Sequence, residues 1–408
     1  MAGVRIVVCG AGIGGLALAH ALSRHAEVVV LERDATAADT GGYRISINDD
    51  ACRALATLLP AALLHEIRAV SDTGTAFEQF TIADPRLRPI VVAAEPPGQD
   101  RILAHRQVLR VLLARDIAAT IRFGSTVRTV AQDRHGAAVT LTDGSQIDGD
   151  LVVAADGADS AVVASLLGRS PTRDLGITGI AGWAPLGDAE PPGYLRRGPA
   201  LAFGPDGTAV FLSLHHPPHP SAAHPTIAGL LGEPALIWGT ITRSSRLTLP
   251  RNAPAAALVP QAAALLDRWS PWLRERVSGS EAPRTAAFRF RAADPDAPIA
   301  GWTPGTVTAL GDAIHAMPPT GGRGASTAIC DAADLARALD DHRRGAPLAE
   351  VLARYQRRLG PRARSAVRES LGPLRVINAL RHRPAQLLAR PLIDAAGACG
   401  AWRYADQR

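Results

Sequence analysis

Residues 4–25 read VRIVVCGAGIGGLALAHALSRH, and this stretch decides the fold. VRIVVC is a short apolar run of β-branched character, the pattern of a buried parallel strand. It passes directly into GAGIGG, which sets Gly10, Gly12 and Gly15 at G-x-G-x-x-G spacing around Ile13 and Gly14. LALAHALSRH then continues as a helix. The three glycines differ in what they make possible. Gly10 permits the tight turn, Gly12 lets the backbone approach a pyrophosphate, and Gly15 lets helix and strand pack closely. The helix N-terminus adds amide donors and positive dipole for phosphates. Downstream, AEVVVLERD supplies a second buried strand ending in Glu32, about twenty residues past the glycines. A carboxylate there accepts from a ribose 2′-hydroxyl and repels a 2′-phosphate. The motif predicts an adenine dinucleotide site and leaves NAD and FAD both open.

The totals set the frame. A chain of 408 residues, 47% hydrophobic and 20% charged, has the composition of a globular protein with about two domains. No apolar run reaches the roughly 18 residues of a membrane span, and the N-terminus enters a strand pattern at once, so neither a membrane segment nor a signal peptide is expected. Cys9, Cys52, Cys330 and Cys399 show no paired spacing, which fits a reducing cytoplasm. The net charge of +6 is carried by arginine, with no lysine in the chain. Aromatic residues make up 4%, too few for base stacking, and the arginines from Arg354 to Arg368 spread around a helix. Nucleic-acid binding is not expected.

Two further segments choose between NAD and FAD. GDLVVAADGADSAVV, residues 149–163, is a buried strand running into Asp156-Gly157. The strand TVTAL precedes GDAIHAMPPTGGRGASTAICDA, residues 311–332. With the first motif, these resemble the para-hydroxybenzoate hydroxylase family of flavin monooxygenases, which keep FAD bound throughout turnover. That family carries G-x-G-x-x-G, a central D-G and a C-terminal G-D in this order, and the spacing covers nearly the whole chain.

The resemblance implies roles for individual residues. Asp312 would hydrogen-bond ribityl hydroxyls, while Pro318 and Pro319 fix the backbone beside the flavin ring. Gly322 and Gly324, followed by Ala325, would turn amides toward flavin N1 and the C2 carbonyl, and a helix from about Ser326 to Leu339 would aim its positive end at the same edge. Negative charge on the reduced ring is stabilised there. HRQVLRVLL places Arg106 near the ribityl chain or pyrophosphate. Arg33 would lie along the adenosine, Arg44 of GGYRISI is a possible cofactor contact, and Val127 borders the adenine.

Three positions depart from the family pattern. Val163 stands where the D-G motif carries an arginine tied to FAD and NAD(P)H binding, which puts NAD(P)H as transient reductant in doubt. Ser326 replaces an asparagine and is expected to cap its helix through the hydroxyl. Arg323 replaces glutamine, lysine or leucine; it either sets a cation beside flavin N1 or points to solvent.

Residues from about 171 to 290 alternate apolar and polar, which suits an antiparallel sheet. LHHPPHPSAAHPT groups His215, His216, His219 and His224, yet its prolines predict an extended loop rather than a metal site. His315 is read as a packing and hydrogen-bonding residue rather than a catalytic base, and the chain beyond 345 reads as helices. The expected fold is α/β: a discontinuous Rossmann-like FAD-binding domain (1–75, 100–170 and 285–345), an inserted antiparallel β-sheet substrate domain (76–99 and 171–284) and C-terminal helices (346–408). The family function is NAD(P)H-dependent hydroxylation of an electron-rich aromatic or enolic small molecule by molecular oxygen through a C4a-hydroperoxyflavin. No metal is expected, no side chain is assigned as catalytic, and a monomer or homodimer is expected. A redox-neutral cyclase or isomerase using FAD as scaffold is the alternative.

Overall fold

The structure, a computed structural model, describes residues 3–379 apart from 43, 73–77, 96–99, 189, 205, 218–224, 251–252, 299–300 and 304, together with 391 and 402–404. The chain divides into two compact units. The first comprises Met1–Ala69, Ala104–Arg173 and Arg291–Leu371. Its elements include β1 (Arg5–Cys9), α1 (Ile13–Leu22), β2 (Glu27–Leu31), α2 (Arg106–Arg115), β3 (Ile121–Arg122), β4 (Leu151–Ala154), β5 (Val307–Ala309), α3 (Gly324–Arg343) and the greater part of α4 (Leu348–Ala379).

The strands form one parallel sheet in the order β5-β4-β1-β2-β3. VRIVVC is thus the central strand, with Val7 opposite both Val29 and Val152. Strands buried on both faces need apolar residues at successive positions, which explains the unbroken run. Helix α1 is buried on nearly every side, so its apolar character is not confined to one stripe. It packs against α3, where Gly14 leaves space for Ala328: a Cβ at Gly14 would lie 3.1 Å from that residue's Cβ.

The second unit comprises Val70–Leu103, Asp174–Phe290 and Gly372–Arg408. It is built on an eight-stranded, mostly antiparallel sheet. Arg173–Pro185 and Ala235–Arg243 pair over a long ladder at its middle, from Ile177 opposite Arg243 to Pro185 opposite Ala235. One face, with Ile180, Ala184, Leu212, Leu236 and Trp238, packs on Leu258, Ala262, Trp269 and Leu273 of the segment 255–278. Trp238 is fully buried, donates from Nε1 to Ser280 Oγ at 2.7 Å, and lies where any side chain at Gly182 would collide with it.

Two expectations need correction. The chain past 345 is not helical throughout, because Trp402–Tyr404 is a strand running parallel to Pro89–Ala94. A run of three residues is too short for periodicity to reveal it. His215 is not in an exposed loop: it ends the strand Ala209–His215, 3% exposed, with Nε2 2.8 Å from Leu231 O and its ring 4.7 Å from Trp183. His219 and His224 lie outside the described residues, and among the described residues no group of ligands could hold a metal ion.

Trp238→Ala should lower unfolding free energy by about 3–5 kcal/mol, since it empties the middle of the second unit's core and removes the indole's bond to Ser280, whose hydroxyl keeps its bond to Arg276 O. Urea unfolding of the variant checks this.

Candidate active site

The G-x-G-x-x-G glycines do different things at the carboxyl end of β1. Gly10 has φ 111°, and a Cβ there would come within 2.3 Å of the Ala155 carbonyl oxygen after β4. Its amide donates to Leu31 O at 2.7 Å, so one residue joins all three central strands. A Cβ at Gly15 would lie 2.2 Å from Gly10 O, which lets α1 leave the strand closely. Gly12 is different. Its backbone is extended, and the nearest atom to an added Cβ is Ala155 O at 4.0 Å, so it opens onto free space at the start of α1. Ile13 follows, buried, as the first helical residue.

Glu32 closes one side. Its Oε2 accepts from Ala11 N at 2.7 Å, Oε1 accepts from Asp34 N at 2.9 Å, and Arg110 Nη2 stands 3.0 Å away. Arg110 also donates to Ala11 O (2.8 Å) and pairs with Asp34 (2.7 Å), with both it and Glu32 almost wholly buried. Residue-type reasoning singled out Arg106 on α2 and missed Arg110 one helical turn later. The available signal was its place in an otherwise apolar stretch facing a strand that ends in Glu32. Arg33 is exposed, 4.0 Å from Asp34. The segment before Val127 runs beside this corner, with Ser125 N donating to Glu32 O (2.7 Å) and Gly124 N to Asp34 O (3.0 Å).

The other side is lined by Asp156, Asp312, Arg106 and Arg44. Asp156 Oδ2 accepts from Ala161 N at 2.8 Å, while its buried Oδ1 has no protein partner. Burial pushes this carboxyl above the usual range, against the hydrogen bonds from Ser160, Val162 and Ala161. Asp312 and Arg106 are solvent-accessible yet crowded by protein, as groups on a cleft wall are. Desolvation raises the first and lowers the second, and each carries the other's opposite charge as a partial offset. Arg44 is enclosed further, with burial lowering it to about 9. A Cβ at Gly42 would lie 3.3 Å from Arg106 Nη1, so the GGYR turn and the start of α2 meet. Tyr43 lies outside the described residues.

The GDAIHAMPPTGGRG loop completes the wall. Pro319 opens a short 3-10 turn ending at Gly321, and Gly322 adopts the left-handed conformation at φ 62°. Gly324 starts α3, and a Cβ on it would lie 3.7 Å from Asp312 Oδ1, with Ala325 next in the helix. The loop rests on α4: Thr320 Oγ1 donates to Ser370 O at 2.5 Å, and Met317 packs on Ala366 and Val367. Arg323 stands 3.3 Å from Glu369, an exposed pair that gives its cation a protein counter-charge.

Ser326 does not cap α3. Its hydroxyl donates to Ser46 O (3.2 Å) and accepts from Asn48 N (3.1 Å), tying the helix to the strand Arg44–Ile47. The reason is position: it sits in the first turn inside α3, past the cap at Arg323. Val163 is buried in the helix Ala161–Leu167, its amide donating to Ser160 Oγ at 2.9 Å. Cys9, Cys52 and Cys330 are free thiols, and Cys399 lies outside the described residues.

A glycine-lined opening at a helix start, an unpartnered buried carboxylate oxygen and a second carboxylate beside a glycine-rich helix start define a dinucleotide-binding α/β protein, and FAD fits that donor and acceptor set. A family model described as an FAD binding domain matches residues 3–184 and 279–370. The chain belongs to this family, the para-hydroxybenzoate hydroxylase-type FAD-dependent monooxygenases. It is 30% identical to the dual O-methyltransferase/FAD-dependent monooxygenase elcB of Phaeosphaeria nodorum over 81% of its length, spanning 40% of that protein. It is 28% identical to the aurachin C monooxygenase/isomerase of Stigmatella aurantiaca, covering 87% of this chain and 84% of the relative. Klebsiella pneumoniae HpxO, solved with FAD and uric acid, shares the fold at a TM-score of 0.74 and 22% identity, over 97% of this chain and 93% of that one. Among the described residues no helix is long and apolar enough to cross a membrane.

Replacing Arg110 by alanine leaves Glu32 buried without its cation and should cost about 3–5 kcal/mol of stability. Thermal unfolding of the apoprotein measures it.

Proposed function

We propose that this chain is a single-component FAD monooxygenase that takes two electrons from NAD(P)H and places one atom of O₂ on an electron-rich aromatic or enolic small molecule. The other oxygen atom leaves as water. The observation that carries the reading is the convergence at one sheet edge of Gly12's open space, the spare Asp156 oxygen, and Asp312 facing Arg106. Bound FAD supplies the electron transfer and oxygen activation; the protein supplies position and charge.

In this assignment Gly10, Gly12, Ile13, Gly14 and Gly15 form the pyrophosphate turn. Glu32 and Arg33, with the backbone near Val127, hold the adenosine. Asp312, Asp156, Arg106 and Arg44 hold the ribityl chain and its phosphates. Pro319, Gly322, Arg323, Gly324 and Ala325 border the pyrimidine edge, where the start of α3 adds positive dipole. The first unit is then the cofactor domain. The relatives' names support oxygen insertion on secondary metabolites as the biological setting.

A redox-neutral isomerase or cyclase is the second reading. Position 163 offers only a buried valine where a nicotinamide donor would favour a cation, and the Stigmatella aurantiaca relative carries both activities in its name.

Anaerobic stopped-flow mixing of the FAD-loaded protein with NADPH or NADH, with and without phenolic and enolic compounds, separates the two. Substrate-stimulated bleaching of the flavin supports monooxygenation. A flavin that stays oxidised under both donors, while a compound is still converted under nitrogen, overturns it. Gly12→Val should abolish FAD retention while leaving apoprotein melting nearly unchanged, because the added side chain meets open space. Equilibrium dialysis and calorimetry test that pair of outcomes.

A further inference from the structure

The turn that presents Asp312 is gripped from behind by charges that no residue-type motif announces. Asp331, on α3, is fully buried. Its Oδ2 accepts from Gly311 N at 3.0 Å and pairs with His315 Nε2 at 2.5 Å, and its Oδ1 accepts from Arg362 Nη2 at 2.7 Å. Arg362, on α4, holds Asp334 at 2.8 Å with its other nitrogen. From the same helix, Tyr355 donates its hydroxyl to Ala309 O at 2.9 Å, at the end of β5. Gly311 sits at φ 61° and ψ −145°, a conformation reserved for glycine, with Ala328 where a Cβ would go. The His315 Nδ1 is buried without a partner.

We infer that Asp331, with Arg362 behind it and His315 beside it, is a positioning residue that fixes the Gly311–Asp312 turn and keeps Asp312 a charged acceptor toward the cofactor. The inference rests on the FAD reading of that wall. Charges alternate along the path: Arg362, Asp331, His315, Asp312, Arg106. The groups facing His315 are Asp331 and Asp312; Arg362 and Asp334 stand on the far side of Asp331, with Tyr355 and Cys330 near it.

The directions agree. Burial alone would lower His315, but Asp331 and then Asp312 outweigh it, so the imidazolium is favoured. Burial alone would raise Asp331, but His315 and Arg362 hold it below the ordinary range. Burial raises Asp312, and His315 and Arg106 are what restrain it. With Asp331 made neutral, burial wins at His315, its charge is lost, and Asp312 rises further. The acid form of Asp312 then extends to higher pH than in the wild type, and a neutral carboxyl is a weaker acceptor for ribityl hydroxyls.

The test is FAD binding to the apoprotein, followed by quenching of flavin fluorescence from about pH 6 to about pH 9. Gly12→Val serves as the control for the site itself. Wild type should bind with nearly constant affinity across the range. Asp331→Asn should bind roughly tenfold more weakly at the acid end, the loss expected of one charge-assisted hydrogen bond, and recover as pH rises and Asp312 regains its charge. Arg362→Met, which leaves the Gly311 bond intact, should show the same trend to a smaller degree, and Arg362→Lys should restore part of it. A folded Arg362→Met with wild-type affinity and a flat profile overturns the inference, whatever becomes of Asp331→Asn. Wild-type protein that binds no FAD overturns the cofactor reading, and the inference with it.

Discussion

Everything in the first unit depends on one close approach: the Gly10 backbone passing the Ala155 carbonyl at a distance no side chain could share. This contact brings β1 and β4 together at their carboxyl ends, and α1 then starts with Gly12 facing open space. The same geometry sets the first turn of α1 over the sheet edge, where its free amides collect at one point. A crevice that binds an anionic ligand is thus the by-product of packing two strands and a helix as tightly as glycine allows.

Buried charge supplies the second constraint. Arg110 ties Glu32 and Asp34 to α2, and Arg362 ties Asp331 to α4, so each end of the crevice is fastened by an ion pair with at least one partner out of reach of water. Such pairs contribute little net stability compared with apolar replacements, but leaving one half unmatched is costly. Their value here is geometric, since each carboxylate also bonds the backbone of a loop at the carboxyl end of the sheet: Ala11 at one end and Gly311 at the other.

Much of this was legible in the residues. The parallel core followed from an apolar run too short for a helix and ending in glycine, and the G-D loop from prolines and glycines that could only break a helix. What escaped had little local signature. Arg110 and Asp331 read as ordinary helical charges, and only the three-dimensional path of the strands shows that water cannot reach them. Ser326 looked like a cap because serine prefers that place, but the helix begins two residues earlier, at Gly324, and its hydroxyl serves a neighbouring strand. The strand at Trp402–Tyr404 carries no alternation that three residues could display.

The first unit is assembled from three stretches of chain separated by the second unit's sequence, and this has a consequence for synthesis. The edge strand Val307–Ala309 follows the central strand Arg5–Cys9 some 300 residues later, roughly 15–60 s at bacterial and eukaryotic elongation speeds. Until then Leu151–Ala154 has an open edge. Glu32 and Arg110 can already find each other, while Asp312 and α3 have yet to be made. Nascent chains spend that interval with the most apolar strands of the protein incompletely covered. Holding those strands apart from other chains in that interval falls to chaperones.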